Sequence, residues 1–171
     1  MRKFTPGRSQ RGISRFEVLV STAIVMAFAA VLLQRLQYYQ EQMEKVAMET
    51  AARQMDSALR IRAGELMLAG RSAELAALDG SDPFALFEVP PGRLAGPADA
   101  ADTTGVWRYE RSSGEVRYLP RNTRHLVIGS GAGPDGAIRY RAELLRVAPD
   151  GHFAGARLRC LTQYRWFEAE S

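Results

Sequence analysis

A single cysteine, Cys160, leaves the chain with no internal disulfide to form, even in a compartment that would permit one. Histidine is almost as scarce. His125 and His152 both adjoin turn-like stretches, and neither has a carboxylate or cysteine at metal-ligand spacing, so both read as surface residues. No catalytic set is visible, so the reading is of a non-enzyme with no cofactor and no metal. Glycine and proline are absent from Ile13 to Ala63, which excludes a turn there and predicts one uninterrupted helix. Acid is absent from the first twelve residues, where Arg2, Lys3, Arg8 and Arg11 supply four of the 23 basic residues. The remainder matches the 19 acidic ones, so the formal charge of +4 belongs to this leader. An excess of Lys and Arg beside an apolar span holds that end in the cytoplasm. At 171 residues there is room for one modest domain beyond a membrane segment.

What is present is organised around Arg11 to Leu33, RGISRFEVLVSTAIVMAFAAVLL. The apolar run from Val18 to Leu33 is somewhat shorter than the ~20 residues of a typical span. With Phe16 before it and Leu36 after, it can cross with local thinning or snorkelling ends. Ser21 and Thr22 do not spoil it, because a hydroxyl can bond to the carbonyl one turn back. Ala23, Ala27, Ala29 and Ala30 permit close helix approach, or serve simply as good helix formers. At the lip of this run stands one carboxylate, Glu17, and a carboxylate there needs a partner. Cleavage after Gly12 would create one, the α-amino group of Ile13, available to the Glu17 of a neighbouring copy.

Gly12 followed by Ile13-Ser14-Arg15-Phe16-Glu17 and an apolar helix resembles the processing signal of type IV pilins and type II secretion pseudopilins. The match covers about the first quarter of the chain. The resemblance implies that prepilin peptidase cuts after Gly12 and methylates Ile13, and that Glu17 pairs with the amino terminus of an adjacent subunit during assembly. It implies as partners other pilin or pseudopilin subunits, an inner-membrane assembly platform and the lipid bilayer. Arg15 departs from the apolar residue usual at its position, and the cysteine pair common near the end of pilins is missing. Both lean towards a minor pilin or pseudopilin. Some pseudopilins hold calcium in a late loop; Asp135 and Asp150 stand alone, so no metal is expected here. A rival signal shares the stretch: Val18 to Met26 followed by Ala27-Phe28-Ala29 resembles a secretory peptide cleaved before Ala30. It competes poorly, because Val31, Leu32 and Leu33 continue the apolar run where such a site is normally polar.

Beyond Leu33 strong helix formers continue, with apolar residues at Leu36, Tyr39, Met43, Val46, Met48, Ala52, Met55, Leu59 and Leu66. A helix from Ser14 to Ala69 follows, with Gly70 as its stop. The Met48–Met55–Leu59 stripe reads as a face for a sheet; the spacing holds no strict heptad. Ser72 is placed to cap a short helix through Leu78, and Asp82-Pro83 to start another turn. Val89 to Gly105 reads as a long connecting loop.

From Val106 the period becomes two. Val106–Glu110 and Glu115–Leu119 form a hairpin, Leu126–Ile128 a short strand, and two longer strands, around Ile138–Leu144 and Ala156–Cys160, a second hairpin. Cys160 falls on the inward face of its strand. The fold class is therefore α+β, a long N-terminal helix on an antiparallel sheet of four or five strands, and the resemblance implies that it is pilin-like. Its parts are a leader at 1–12, a membrane half-helix at 13–35, a periplasmic half at 36–70, a loop region at 71–105 and a sheet at 106–171.

Two further motifs carry weaker signals. Gly129-Ser130-Gly131-Ala132-Gly133 lacks the lysine and following helix of a phosphate loop and reads as a flexible turn. Arg139, Arg141, Arg157, Arg159 and Arg165 form a basic stripe that would suit an anionic surface or, with Tyr164 and Trp166 nearby, nucleic acid. The alternative is a solvated strand face balanced by Glu143, Glu168 and Glu170. The functional expectation is a filament subunit anchored in the bacterial inner membrane, with its carboxyl-terminal domain periplasmic. The competing expectation is a single-pass or secreted periplasmic binding domain without a filament role.

Overall fold

The computed structural model describes residues 15–96, 103–131, 133, 135–146 and 153–167. Helix α1 runs unbroken over Arg15–Leu68, through the stretch free of glycine and proline and on past Gly64. The chain divides into two compact units, Met1–Gln40 and Glu41–Ser171.

In the first unit α1 is exposed along its length. Phe16, Leu19, Val25, Phe28, Leu32 and Leu33 all face outward, and Thr22 Oγ1 donates to Val18 O at 2.8 Å, satisfying its hydroxyl within the helix. This is the one helix among the described residues long and apolar enough to cross a membrane.

In the second unit one face of α1 is buried. Met48, Ala51, Met55, Leu59, Ala63 and Leu66 recur every three or four residues and are almost wholly covered, so the 3.6-residue period lays them in one stripe. Each large side chain so buried contributes about 1.5–3 kcal/mol. Met43 and Val46, expected in the same series, are exposed instead. Helix α1 ends where Gly70 takes the left-handed conformation (φ 69°). There Arg71 N donates to Leu66 O at 2.8 Å and Gly70 N to Met67 O at 3.1 Å, capping carbonyls that the helix leaves open.

Ser72–Leu78 follows as a 3₁₀ helix, not an α-helix, and Ser72 is its first residue rather than its cap. The tighter three-residue turn explains this, since it aligns Leu75 with Leu78, and both are buried. Pro83–Leu86 forms the second expected turn, with Phe84 N donating to the Asp82 side chain.

Strands β1 (Val106–Glu110), β2 (Glu115–Leu119), β4 (Ile138–Arg146) and β5 (Phe153–Cys160) make an antiparallel sheet in the order β1-β2-β4-β5. Its inner face presents Val116, Tyr118, Ile138, Tyr140, Ala142 and Ala156, which complete two buried clusters with α1. Strand β3 (Leu126–Ile128) does not join this sheet. It pairs with β6 (Tyr164–Trp166), a strand the sequence reading had not assigned, in a separate two-stranded ribbon. The described part of the loop after Val89 is bonded to the sheet. Trp107 N donates to Arg93 O at 2.8 Å and Ala95 N to Trp107 O at 2.7 Å, so 93–95 covers the β1 edge in a parallel bridge that would otherwise be open to pairing.

Candidate functional site

Glu17 lies in the first turn of α1, where the aligned peptide dipoles favour a negative charge. It is exposed, as are Arg15 and Phe16 beside it. The processing residues Gly12 and Ile13 lie outside the described residues. At the other end of the apolar stretch come Arg35, Tyr38 and Tyr39, residue types that settle at the headgroup level of a bilayer. Within the first unit, a carboxylate and Arg15 therefore stand at one end of an outward-facing apolar helix and a basic, aromatic girdle at the other.

The structure resolves the basic stripe into two parts. Arg139, Arg141, Arg157 and Arg159 share the outer face of the main sheet, with Arg141 opposite Arg159 and Glu143 opposite Arg157. Arg165 is elsewhere, on β6 opposite Val127. The four that come together are already paired. Arg139 meets Glu115 at 3.2 Å, Arg141 meets Asp79 at 3.7 Å, and Glu143 takes both Arg157 (3.6 Å) and Arg159 (3.2 Å). Such half-exposed pairs add little stability, but three carboxylates set among the four arginines weaken the field that an anionic partner would need. Glu143 balances the face as expected; Glu168 and Glu170 lie outside the described residues, and Glu115 and Asp79 serve in their place.

Arg139 has a second task that ties it to the glycine-rich segment. Its Nε and Nη2 donate to Gly131 O at 2.9 and 2.5 Å, and Thr162 Oγ1 donates to the same oxygen at 3.0 Å. Gln163 N donates to Ser130 O and Gly129 N to Gln163 O, so the expected flexible turn is a bonded one. Gly131 has φ 84°, and a Cβ there would collide with the Leu161 carbonyl. Gly131→Ala is therefore expected to cost roughly 2–5 kcal/mol, the sum of a left-handed penalty and a backbone clash. Gly64 sits inside α1 with open space around it, so Gly64→Ala should raise stability by ~1 kcal/mol. Thermal unfolding of the two variants, followed by circular dichroism, should move in opposite directions.

Cys160 is on the inward side by register, opposite Tyr140, yet as a residue it is exposed rather than buried; it lies on β5, an edge strand of the sheet. Its Sγ donates to Thr162 O at 3.2 Å, and desolvation pushes the thiol up, which suppresses the reactive thiolate. Among the described residues, no group of three or more His, Cys, Asp or Glu is placed to hold a metal.

The residues that the sequence reading missed are Glu41 and Glu44. Glu41 is 2% exposed, and it accepts from Trp166 Nε1 at 3.0 Å, His125 N at 2.9 Å and His125 Nδ1 at 2.8 Å. An ionised carboxylate can only accept, so Nδ1 carries the proton. Burial alone would raise the Glu41 carboxyl, but the bonds from the His125 ring, the His125 backbone and Trp166 outweigh it and hold the group below its ordinary range. Glu44 accepts from Tyr118 Oη (3.0 Å), Arg121 N (2.6 Å) and Asn122 N (3.2 Å). Burial, then the Glu44 charge, pushes the Tyr118 phenol up. His125 is exposed, as expected of a surface residue, and is also a bonded partner of a buried acid. A signal existed: continuing the buried register back from Met55 through Ala51 and Met48 by threes and fours lands on Glu44 and Glu41.

No family model matches the chain, and no curated protein or solved structure matches it either.

Proposed function

We propose that the chain is a membrane-anchored, pilin-like filament subunit of the minor-pilin or pseudopilin kind. Prepilin peptidase cleaves it after Gly12, and Glu17 then binds the Ile13 amino group of a neighbouring subunit as it enters a type IV pilus or type II secretion pseudopilus. The single observation that carries this reading is the outward-facing apolar run of α1 with one carboxylate in its first turn. An acid at the edge of a bilayer is costly unless a cation meets it, and the amine made by cleavage lies four residues away in sequence. The same chemistry supports the location, a single pass through the bacterial inner membrane with the basic leader cytoplasmic and the sheet domain periplasmic before assembly. The paired arginines of the outer sheet face give no support to a nucleic-acid role.

Mass spectrometry of the mature amino terminus, from cells that possess the peptidase, tests the reading. A chain beginning at methylated Ile13 is expected. A start at Ala30 would transfer the chain to the secretory class, and a retained leader would overturn processing altogether.

A further inference from the structure

The β3–β6 ribbon shares no strand pairing with the four-stranded sheet; it meets the sheet through side chains, with Trp166 in the cluster that holds Tyr118 and Tyr140, while polar groups of α1 bind the segments around it. Glu41 takes the indole N–H of Trp166 and both nitrogens offered by His125. One turn on, Glu44 takes the start of the strap 121–128 that leads into and includes β3, at Arg121 and Asn122, together with the Tyr118 hydroxyl. Lys45 adds a bond from Nζ to Trp166 O at 3.2 Å and sits 5.9 Å from the centre of the Phe167 ring. Phe167 stacks on His125 at 5.1 Å, and its N–H donates to His125 O at 2.9 Å. It does so at φ 60°, a conformation costly for an aromatic residue and maintained only where surrounding contacts enforce it. The elements thus brought together are two three-residue strands, two carboxylates and one strained residue where the strap closes.

We propose that the β3–β6 ribbon is a flap with its own opening equilibrium, latched to α1 by Glu41 and Glu44, so that neutralising these carboxylates opens it while the four-stranded sheet stays folded. Opening uncovers the Trp166 indole, 3% exposed when shut, at the first turns of the second unit. The charged and titratable groups facing the latch are Lys45 on the helix, His125 and Arg121 on the strap and Tyr118 on β2. Glu41 sets the direction of the pH response. Its carboxyl is held below the ordinary 4.5, so its stabilisation is complete above that value and is lost as pH falls through the folded value. The inference does not depend on filament assembly, because every contact in it lies within one chain.

Hydrogen–deuterium exchange on the full chain in detergent micelles, expressed as protection factors, tests it. In Glu41→Gln at pH 7, segments 122–128 and 164–167 should lose about tenfold or more of their protection, with 116–118 and 138–142 unchanged. Lowering the pH of the wild type from 7 through the range in which Glu41 takes up its proton should reproduce that pattern, and the response should be blunted in the variant. Trp166→Phe, which deletes the indole donor and shrinks the ring in a buried position, should lower protection in the same segments. Equal loss in all segments would show one cooperative unit and overturn the flap; unchanged protection in the ribbon would overturn the latch. If Glu41→Gln does not accumulate, the wild-type titration and Trp166→Phe decide by the same two criteria.

Discussion

Glu17→Ala is expected to yield a protein that is cleaved, folded and membrane-bound but absent from filaments. The argument begins with the cost of isolated charge. In a low-dielectric setting an amine and a carboxylate attract strongly, yet each loses its hydration, so the pair is favourable only when both are buried together. Removing one member leaves the other buried without compensation, a loss of about 3–5 kcal/mol. A deficit of that size shifts a partition between membrane and filament by more than ~100-fold. Folding should be spared, because Glu17 is exposed on a part of α1 that belongs to the first unit. The measurement is the ratio of subunit in sheared filaments to subunit in membranes, with amino-terminal mass spectrometry confirming cleavage. Glu17→Asp should fall between, since the charge remains but its reach shortens. Normal incorporation of Glu17→Ala would overturn the pairing mechanism, even if cleavage after Gly12 stood.

Helix α1 and its stop at Gly70 were legible because they rest on local rules: no breaker before Gly64, an apolar series at helical spacing, and a glycine where the pattern fails. The two hairpins were legible for the same reason, since Ile138, Tyr140 and Ala142 alternate with Arg139 and Arg141. Strand β6 was not. Three residues, Tyr164 to Trp166, offer too short an alternation, and their partner β3 lies far back in the chain. The 93–95 edge cover was hidden similarly, because its bonds are to the Trp107 backbone, which carries no side-chain signature. Glu41 and Glu44 show a different limit. Carboxylates on a helix read as solvent-facing until their donors are known, and those donors stand 74 to 125 residues away. Neutralisation of the arginine stripe was half legible: Glu143 was visible, but Asp79 reaches Arg141 from a turn outside the sheet.

Trp107→Ala should have the largest effect on folding. Trp107 is 2% exposed, and its ring centre lies 4.9 Å from Tyr118, 5.7 Å from Tyr140 and 6.3 Å from Phe84. It thus joins β1, β2, β4 and the second 3₁₀ turn in one aromatic cluster against Met48, Ala51 and Met55. Truncation removes the transfer free energy of the indole and leaves a void between rigid neighbours, a cost of about 3–5 kcal/mol. Three tilted ring contacts disappear with it, each of which contributes ~0.5–1.5 kcal/mol beyond area. Domains of this size have a total stability of only about 5–15 kcal/mol, so the variant should unfold roughly 10–20 °C below the wild type. Trp107→Phe keeps a ring in the cluster and should lose less than half as much. The backbone bonds from Trp107 to Arg93 and Ala95 involve no side chain, so the loss comes from packing and not from the edge cover. Membrane insertion should persist in both variants, because the apolar run from Val18 to Leu33 contributes nothing to this core. A midpoint within about 3 °C of the wild type for Trp107→Ala would mean that the aromatic cluster does not hold the sheet to the helix.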